Sequence, residues 1–209
     1  TTTSRRTLLG AAGAAAGASF LSAELAQAQT GAPARSDGRP VITRSTGRVQ
    51  GSVTALGLGT FLTFDLLPGA DREPLRQVMK TYLDAGVRVV DTSPLYGNGE
   101  INTGAFLAGM GGADNLFVSN KVWATGDYLA DESHALRSFE QSQLRLWRPQ
   151  MDAMFCHNLV NIDVVVPMLN AWKREGRIRL AGISHHENVY HEVMTSWIER
   201  GQLDAVQVN

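Results

Sequence analysis

From Val49 onward, short apolar runs alternate with longer amphipathic stretches. The glycine-punctuated run "VTALGLGTF" comes first. Next is a predicted helix with Leu75, Val78, Met79, Tyr82 and Leu83 on one face, the i, i+3, i+4 spacing of a core-facing stripe. Asp71 is its expected N-cap, Pro74 stands in the first turn and Gly86 is the stop, the usual punctuation of a helix. Strand-like "VRVVDTS" is followed by a short helix from Glu100 to Met110, then by "NLFVSNKVW". A helix from Glu132 to Trp147 carries Leu136, Phe139, Gln143, Leu146 and Trp147 at helical spacing and leads into "MDAMFCHN". Val165, Met168, Leu169 and Trp172 mark the next helix, which Gly176 ends before "IRLAGISHH". Tyr190, Val193, Met194, Trp197 and Ile198 mark the last helix, stopped by Gly201, and "LDAVQVN" begins a sixth strand. Trp147, Trp172 and Trp197 are expected to pack against the sheet and not to stack on nucleic acid.

Nearly continuous apolar strands separated by helices imply a parallel sheet with helical cover. Two α/β architectures produce that alternation. An open doubly wound sheet binding a dinucleotide needs a glycine fingerprint in its first βα turn; "GLGTFLTF" lacks the third glycine, and "GNGEIN" fails at its last position. A (β/α)8 TIM barrel instead sets functional groups on the carboxyl ends of several strands, where this chain has its polar residues. The expectation is a barrel over residues 41–209. It is truncated after strand 6, since a complete one needs about 250 residues and eight units. The chain also begins with Thr1, so the expectation is of a fragment cut at both ends.

Four of those polar residues belong together chemically. Asp91, Tyr96, Lys121 and His157 each stand where a strand-like run ends. On neighbouring parallel strands they would meet at one mouth: a phenol able to donate a proton, an ammonium, a carboxylate and an imidazole. A free tyrosine has a pKa near 10. A nearby ammonium is expected to lower it and make Tyr96 a better general acid, while Asp91 pairs with Lys121 and keeps it charged. His157 would orient a substrate carbonyl oxygen. The pattern from His185 onward does not make a metal site, because His186 and His191 are five residues apart instead of four.

Bulk composition removes other classes. The 209 residues carry a net charge of −1 and are 44% hydrophobic, which suits a globular core and gives no electrostatic reason to bind nucleic acid or an anionic membrane. Cys156 is the only cysteine and lies in an apolar run, so it reads as a buried, inert thiol. Residues 1–28 are a distinct object. "SRRTLLG", a mild Ala/Gly-rich stretch to Leu21 and "AQA" at Ala26–Ala28 resemble a twin-arginine export signal cleaved near Ala28. That implies the twin-arginine translocation machinery as a partner, a periplasmic destination and no stable membrane span. Residues 29–40 read as a linker.

"GLGTF", "VRVVDTSPLYGNGE", "SNKVW", "FCHN" and "GRIRLAGIS" resemble, in order, the motifs of the aldo-keto reductases, and most closely their bacterial branch with export signals. The resemblance implies an NAD(P)(H)-dependent oxidoreductase, with NADP(H) expected and NAD(H) possible. It would interconvert small aldehydes or ketones and alcohols, with Asp91, Tyr96, Lys121 and His157 as catalytic groups. It further implies that Thr60 and Asp91 lie by the nicotinamide ribose and that Ser184 and Gln207 hold the carboxamide. His185 stands where the family commonly has asparagine, and Phe61 and Trp123 wall the substrate pocket. The alternative from another class is a non-catalytic barrel that binds a nicotinamide nucleotide as a sensor or partner subunit.

Overall fold

The computed structural model describes residues 38–45, 51–111, 115–123 and 131–209. The expected export signal and most of the expected linker fall outside these residues. Two short strands, β1 (Thr43–Arg44) and β2 (Val53–Thr54), pair antiparallel. Six parallel strands then follow: β3 (Leu58–Gly59), β4 (Val89–Asp91), β5 (Phe117–Val122), β6 (Met151–His157), β7 (Ile178–Ser184) and β8 (Ala205–Gln207). The run "VTALGLGTF" is therefore two strands and not one. Gly57 lies at the break, where an added Cβ would stand 3.1 Å from Val89 Cγ1.

Among the described residues one α-helix follows each of β3 to β7: α1 (Glu73–Asp84), α2 (Gly99–Met110), α3 (Glu132–Leu146), α4 (Ile162–Arg174) and α5 (His191–Glu199). Asp71 caps α1 from one residue before its N-cap, accepting the Glu73 N–H at 2.9 Å. Asp131 caps α3 by accepting from the N–H groups of Ser133 and His134, a role that carboxylates fill well. Trp172 and Trp197 are buried as expected. Trp147 is not: it is 78% exposed and ends α3 in a left-handed conformation, φ 56°. The backbone turns there to close the helix, which swings the indole away from the apolar face that helical spacing assigned to it.

Sheet order follows chain order without a reversal, so the six described strands contain no switch point of the kind an open doubly wound sheet requires. The two faces of the sheet also differ. Val118, Val122, Met154, Cys156, Ala181 and Ile183 join helix residues such as Phe139, Val165, Leu169 and Trp172 in the main core. The opposite face carries a separate small cluster of Ala153, Phe155 and Leu180, flanked by Phe117 and Ala205, with no helix residue in it. Helices cover one face and strand side chains meet on the other, as in a barrel wall with its filled interior. Gly182 makes this interior possible, since an added Cβ would stand 2.6 Å from both the Phe155 ring and the Ala205 carbonyl oxygen.

Buried polar anchors fix the wall. Glu100, fully buried, accepts from Asn120 at 2.8 Å and from Arg145 at 2.9 Å, tying α2 to β5 and α3. Asp152 accepts from Arg148, Arg179 and the Val118 N–H. The same α2–α3 contact depends on Gly104, where a Cβ would stand 2.1 Å from the Arg145 carbonyl oxygen. Backbone cannot give way there as a flexible side chain could. Gly104→Ala is therefore expected to destabilise the fold by about 2 kcal/mol through overpacking, read as a lower denaturation midpoint, whereas Gly109→Ala, which meets nothing within 4 Å, leaves it nearly unchanged.

Candidate active site

Strand periodicity builds the floor of the site. Ser119 and Lys121 are two apart on β5 and so project to the same side. Together they grip both oxygens of the Asp91 carboxylate: Ser119 Oγ donates to Oδ1 at 2.7 Å and Lys121 Nζ to Oδ2 at 2.8 Å. Lys121 Nζ also donates to the Thr92 carbonyl at 2.9 Å. The ammonium is almost fully buried, with 2% of its side chain exposed against 20% for Asp91. Burial pushes the lysine below its ordinary pKa, while the charge and hydrogen bond of Asp91 work to keep it protonated.

Tyr96 lies above this pair. Lys121 Nζ is 5.1 Å from the centre of its ring, and the ring meets His157 edge-on at 5.7 Å. Trp123 packs edge-on against the other partner, 5.3 Å from His157, and Phe61 leans on Tyr96 at 4.9 Å. All four residues expected at the mouth are thus brought together, with Phe61 and Trp123 beside them.

The electrostatics depart from expectation in one respect. The Tyr96 phenol is pushed up to about 12, first by burial and then by the negative charge of Asp91. The net shift is therefore upward and not the lowering expected from Lys121: burial of the phenol comes first, and Asp91 disfavours a second negative charge nearby. Tyr96 holds its proton firmly in this state.

His157 Nδ1 lies 2.8 Å from Ser93 Oγ, and the same oxygen accepts the Leu95 N–H at 3.1 Å. Burial, and then the positive charge of Lys121, depress the imidazole to about 3. Cys156, next to it, faces the helices and donates to the Val160 carbonyl; burial raises its thiol to about 12, so it is inert as expected. The backbone after His157 is unusual, with Asn158, Leu159 and Asn161 at φ 52°, 58° and 53°. Left-handed leucine is uncommon, and these residues turn the chain sharply from the strand end into α4.

Residues expected at a cofactor form a second group. Ser184 is in register with His157 on one side and Gln207 on the other. Gln207 Oε1 is buried without a hydrogen-bond partner, as is Thr60 Oγ1, and Ser184 Oγ has only a long bond of 3.4 Å to the Cys156 carbonyl. Orphaned buried polar atoms are rare in folded proteins. Here an unused acceptor and a weakly used hydroxyl stand on adjacent strands, the complement of a primary carboxamide. His185 is committed locally: its Nδ1 accepts the Glu187 N–H at 3.0 Å and its ring stacks on Tyr190 at 3.8 Å. Only its other nitrogen remains for a ligand. Ser93 and Ser119 were not anticipated. Period-two spacing from Lys121 could have found Ser119; Ser93 lies in a turn without periodicity and gave no such signal.

The His157 shift has a measurable consequence. As pH falls through 6.5, an ordinary histidine in the unfolded chain gains a proton, but the folded His157 does not until about pH 3. Acid therefore favours the unfolded state across that window, and this contribution to stability is full only above it. Replacing His157 with glutamine should flatten the fall in urea-unfolding free energy between pH 6.5 and 4; an unchanged slope would mean that the imidazole titrates normally.

A family model described as the aldo/keto reductase family matches residues 55–209. Among curated proteins, the methylglyoxal reductase DkgB of Salmonella typhi is 28% identical over 140 residues, covering 64% of this chain and 48% of that protein. The pyridoxal 4-dehydrogenase of Microbacterium luteolum is 27% identical over 150 residues, 56% of this chain and 43% of the relative. The chain thus spans about half the length of the curated relatives it matches. Among solved structures, an aldo-keto reductase from Bacillus halodurans in its holo form superposes with a TM-score of 0.63 at 23% identity, covering 81% of this chain and 56% of that one. One from Klebsiella pneumoniae, solved with NADP and acetate, gives 0.57 at 21% identity over 75% and 64%. The parallel wall, its single helical face and the family match agree: this chain belongs to the aldo/keto reductase family.

Proposed function

We propose that this chain carries the proton-donating side of an NAD(P)(H)-dependent oxidoreductase that interconverts small aldehydes or ketones and alcohols. The observation that carries the reading is the placement of Tyr96 and His157 side by side above a buried Asp91–Lys121 ion pair. Oxidoreductase activity in the named relatives and NADP in the Klebsiella structure support it.

A nicotinamide, when bound, supplies the hydride that no side chain can. Ser184 and Gln207 would hold its carboxamide, with Thr60 and Asp91 near the adjoining ribose and His185 contributing through its second nitrogen. His157 would hydrogen-bond the substrate carbonyl oxygen, and Phe61 and Trp123 would wall the substrate. As the carbonyl carbon is reduced, its π bond breaks and negative charge gathers on the oxygen. Tyr96 then transfers its proton to that oxygen. With a pKa near 12 the phenol does not ionise early at neutral pH, yet it is far more acidic than an alcohol, so the transfer runs downhill. Lys121, below the ring, stabilises the phenolate that remains.

In the full-length protein, Tyr96→Phe is expected to reduce kcat by at least about a hundredfold while leaving dinucleotide binding, followed by quenching of tryptophan fluorescence, nearly intact. Undiminished turnover would refute the assignment. Bound dinucleotide with no turnover by the unmodified protein on a broad carbonyl panel would favour the sensor role instead.

Export by the twin-arginine route belongs to the same proposal, supported by the order of Arg5–Arg6, the mild apolar stretch and Ala26–Ala28. That route carries folded proteins, which would let the cofactor be bound before translocation and recycled in place. Replacing Arg5 and Arg6 together with lysine should leave the protein in the cytoplasmic fraction; periplasmic recovery equal to the unmodified chain would remove the export reading.

A further inference from the structure

Ser93 is fully buried, as is most of His157, and they come from different parts of the wall: the turn after β4 and the end of β6. Their contact, Ser93 Oγ to His157 Nδ1 at 2.8 Å, is the imidazole's hydrogen bond among the described residues. Among the described residues Ser93 Oγ has one other bond, in which it accepts the Leu95 N–H. A serine hydroxyl has one proton to give and two lone pairs. If Nδ1–H were the donor, Ser93 Oγ would accept twice, and its own buried proton would have no acceptor. If the hydroxyl donates to Nδ1, the hydroxyl and Nδ1 are both satisfied, and Nε2–H is left for a ligand. Only the second arrangement satisfies a buried hydroxyl.

From this geometry we infer that Ser93 is a positioning residue that donates its hydroxyl proton to His157 Nδ1 and so fixes the neutral imidazole as the Nε2–H tautomer. The inference deepens the proposed function and rests on it for its catalytic meaning. A substrate carbonyl oxygen can only accept, so the imidazole must present an N–H to it, and Ser93 keeps that proton on the nitrogen it does not itself engage. The second hydrogen bond, from Leu95, holds the serine oxygen in the turn and limits its rotation. Tyr96 and Trp123, both edge-on to the imidazole, hold the ring between them, so its orientation is set by packing and its tautomer by Ser93. The imidazole is neutral at working pH because burial depresses its pKa, which leaves tautomer choice as the property still to be set.

Long-range proton–nitrogen correlation spectra of protein labelled with nitrogen-15 histidine, without substrate or cofactor, test this directly. His157 resonances are assigned by their loss in His157→Gln. The expected spectrum near neutral pH shows an unprotonated Nδ1 and a protonated Nε2; a protonated Nδ1 overturns the inference. Ser93→Ala should give a mixture of tautomers and lower kcat about ten- to a hundredfold, the scale seen when the hydrogen-bond partner that orients a metal-ligating histidine is lost, with little change in KM. Ser93→Thr, which keeps the hydroxyl, should restore the single tautomer and most of the rate. A Ser93→Ala protein with the unmodified tautomer and rate would also overturn it. Should that variant fail to fold, the spectrum of the unmodified protein decides alone. Because the spectrum requires no turnover, it can succeed even where the oxidoreductase reading fails, and the two failures remain distinguishable.

Discussion

The Asp91–Lys121 ion pair is the contact on which the mouth of this wall depends. Leaving a lysine ammonium buried and unpaired costs several kcal/mol, and removing one partner of a buried pair typically costs about 3–5 kcal/mol, somewhat less where, as here, one member is partly exposed. Lys121 can be nearly sealed from solvent because three acceptors or helpers meet it: the Asp91 carboxylate, the Thr92 carbonyl, and Ser119, which occupies the other carboxylate oxygen. Those groups come from two adjacent strands held in register at Asp91 and Ser119. A one-residue slip of β5 against β4 would turn Lys121 into the apolar helix interface. The pair thus fixes strand register as well as site chemistry.

The same alternation explains how one set of strands serves both packing and chemistry. On β6, Met154 and Cys156 face the helices, while Ala153, Phe155 and His157 face the interior. On β7 the interior residues are Leu180, Gly182 and Ser184. Both strands therefore run from apolar filling below to a polar group at the carboxyl end. Phe155 is large enough to fill the interior only because Gly182 beside it has no side chain. The polar ends, His157, Ser184 and Gln207, then line up in register above that filling.

Much of this was legible in the sequence, and the reasons are specific. Asp91, Lys121 and His157 were visible because each stands at or near the end of an apolar run, with Tyr96 in the turn that follows the first of them, and strand ends are where a parallel barrel exposes its chemistry. Helix faces were visible where spacing and burial agree, as for Val165, Leu169 and Trp172. Trp147 was misplaced because spacing continues past the residue at which the backbone turns left-handed, and nothing in the local pattern marks that turn. The break in "VTALGLGTF" was hidden because glycine is neutral in a periodicity argument. Ser93 was missed because its role depends on a partner 64 residues away, which no local pattern encodes.

The direction of the Tyr96 shift was misjudged for a more general reason. A lysine near a tyrosine suggests a lowered phenol pKa only if the lysine's charge reaches the phenol. Here burial of the phenol comes first, and the carboxylate that makes burial of Lys121 possible adds its own charge against ionisation. The requirement that stabilises the site therefore works against a preformed phenolate. Such a phenol is a poor acid toward water and a competent one toward an oxygen acquiring full negative charge. Proton release is then tied to charge arriving on the substrate and not to the resting state of the protein. Lys121, 5.1 Å from the centre of the ring, is then the positive charge that faces the phenolate left by transfer, shared with Asp91.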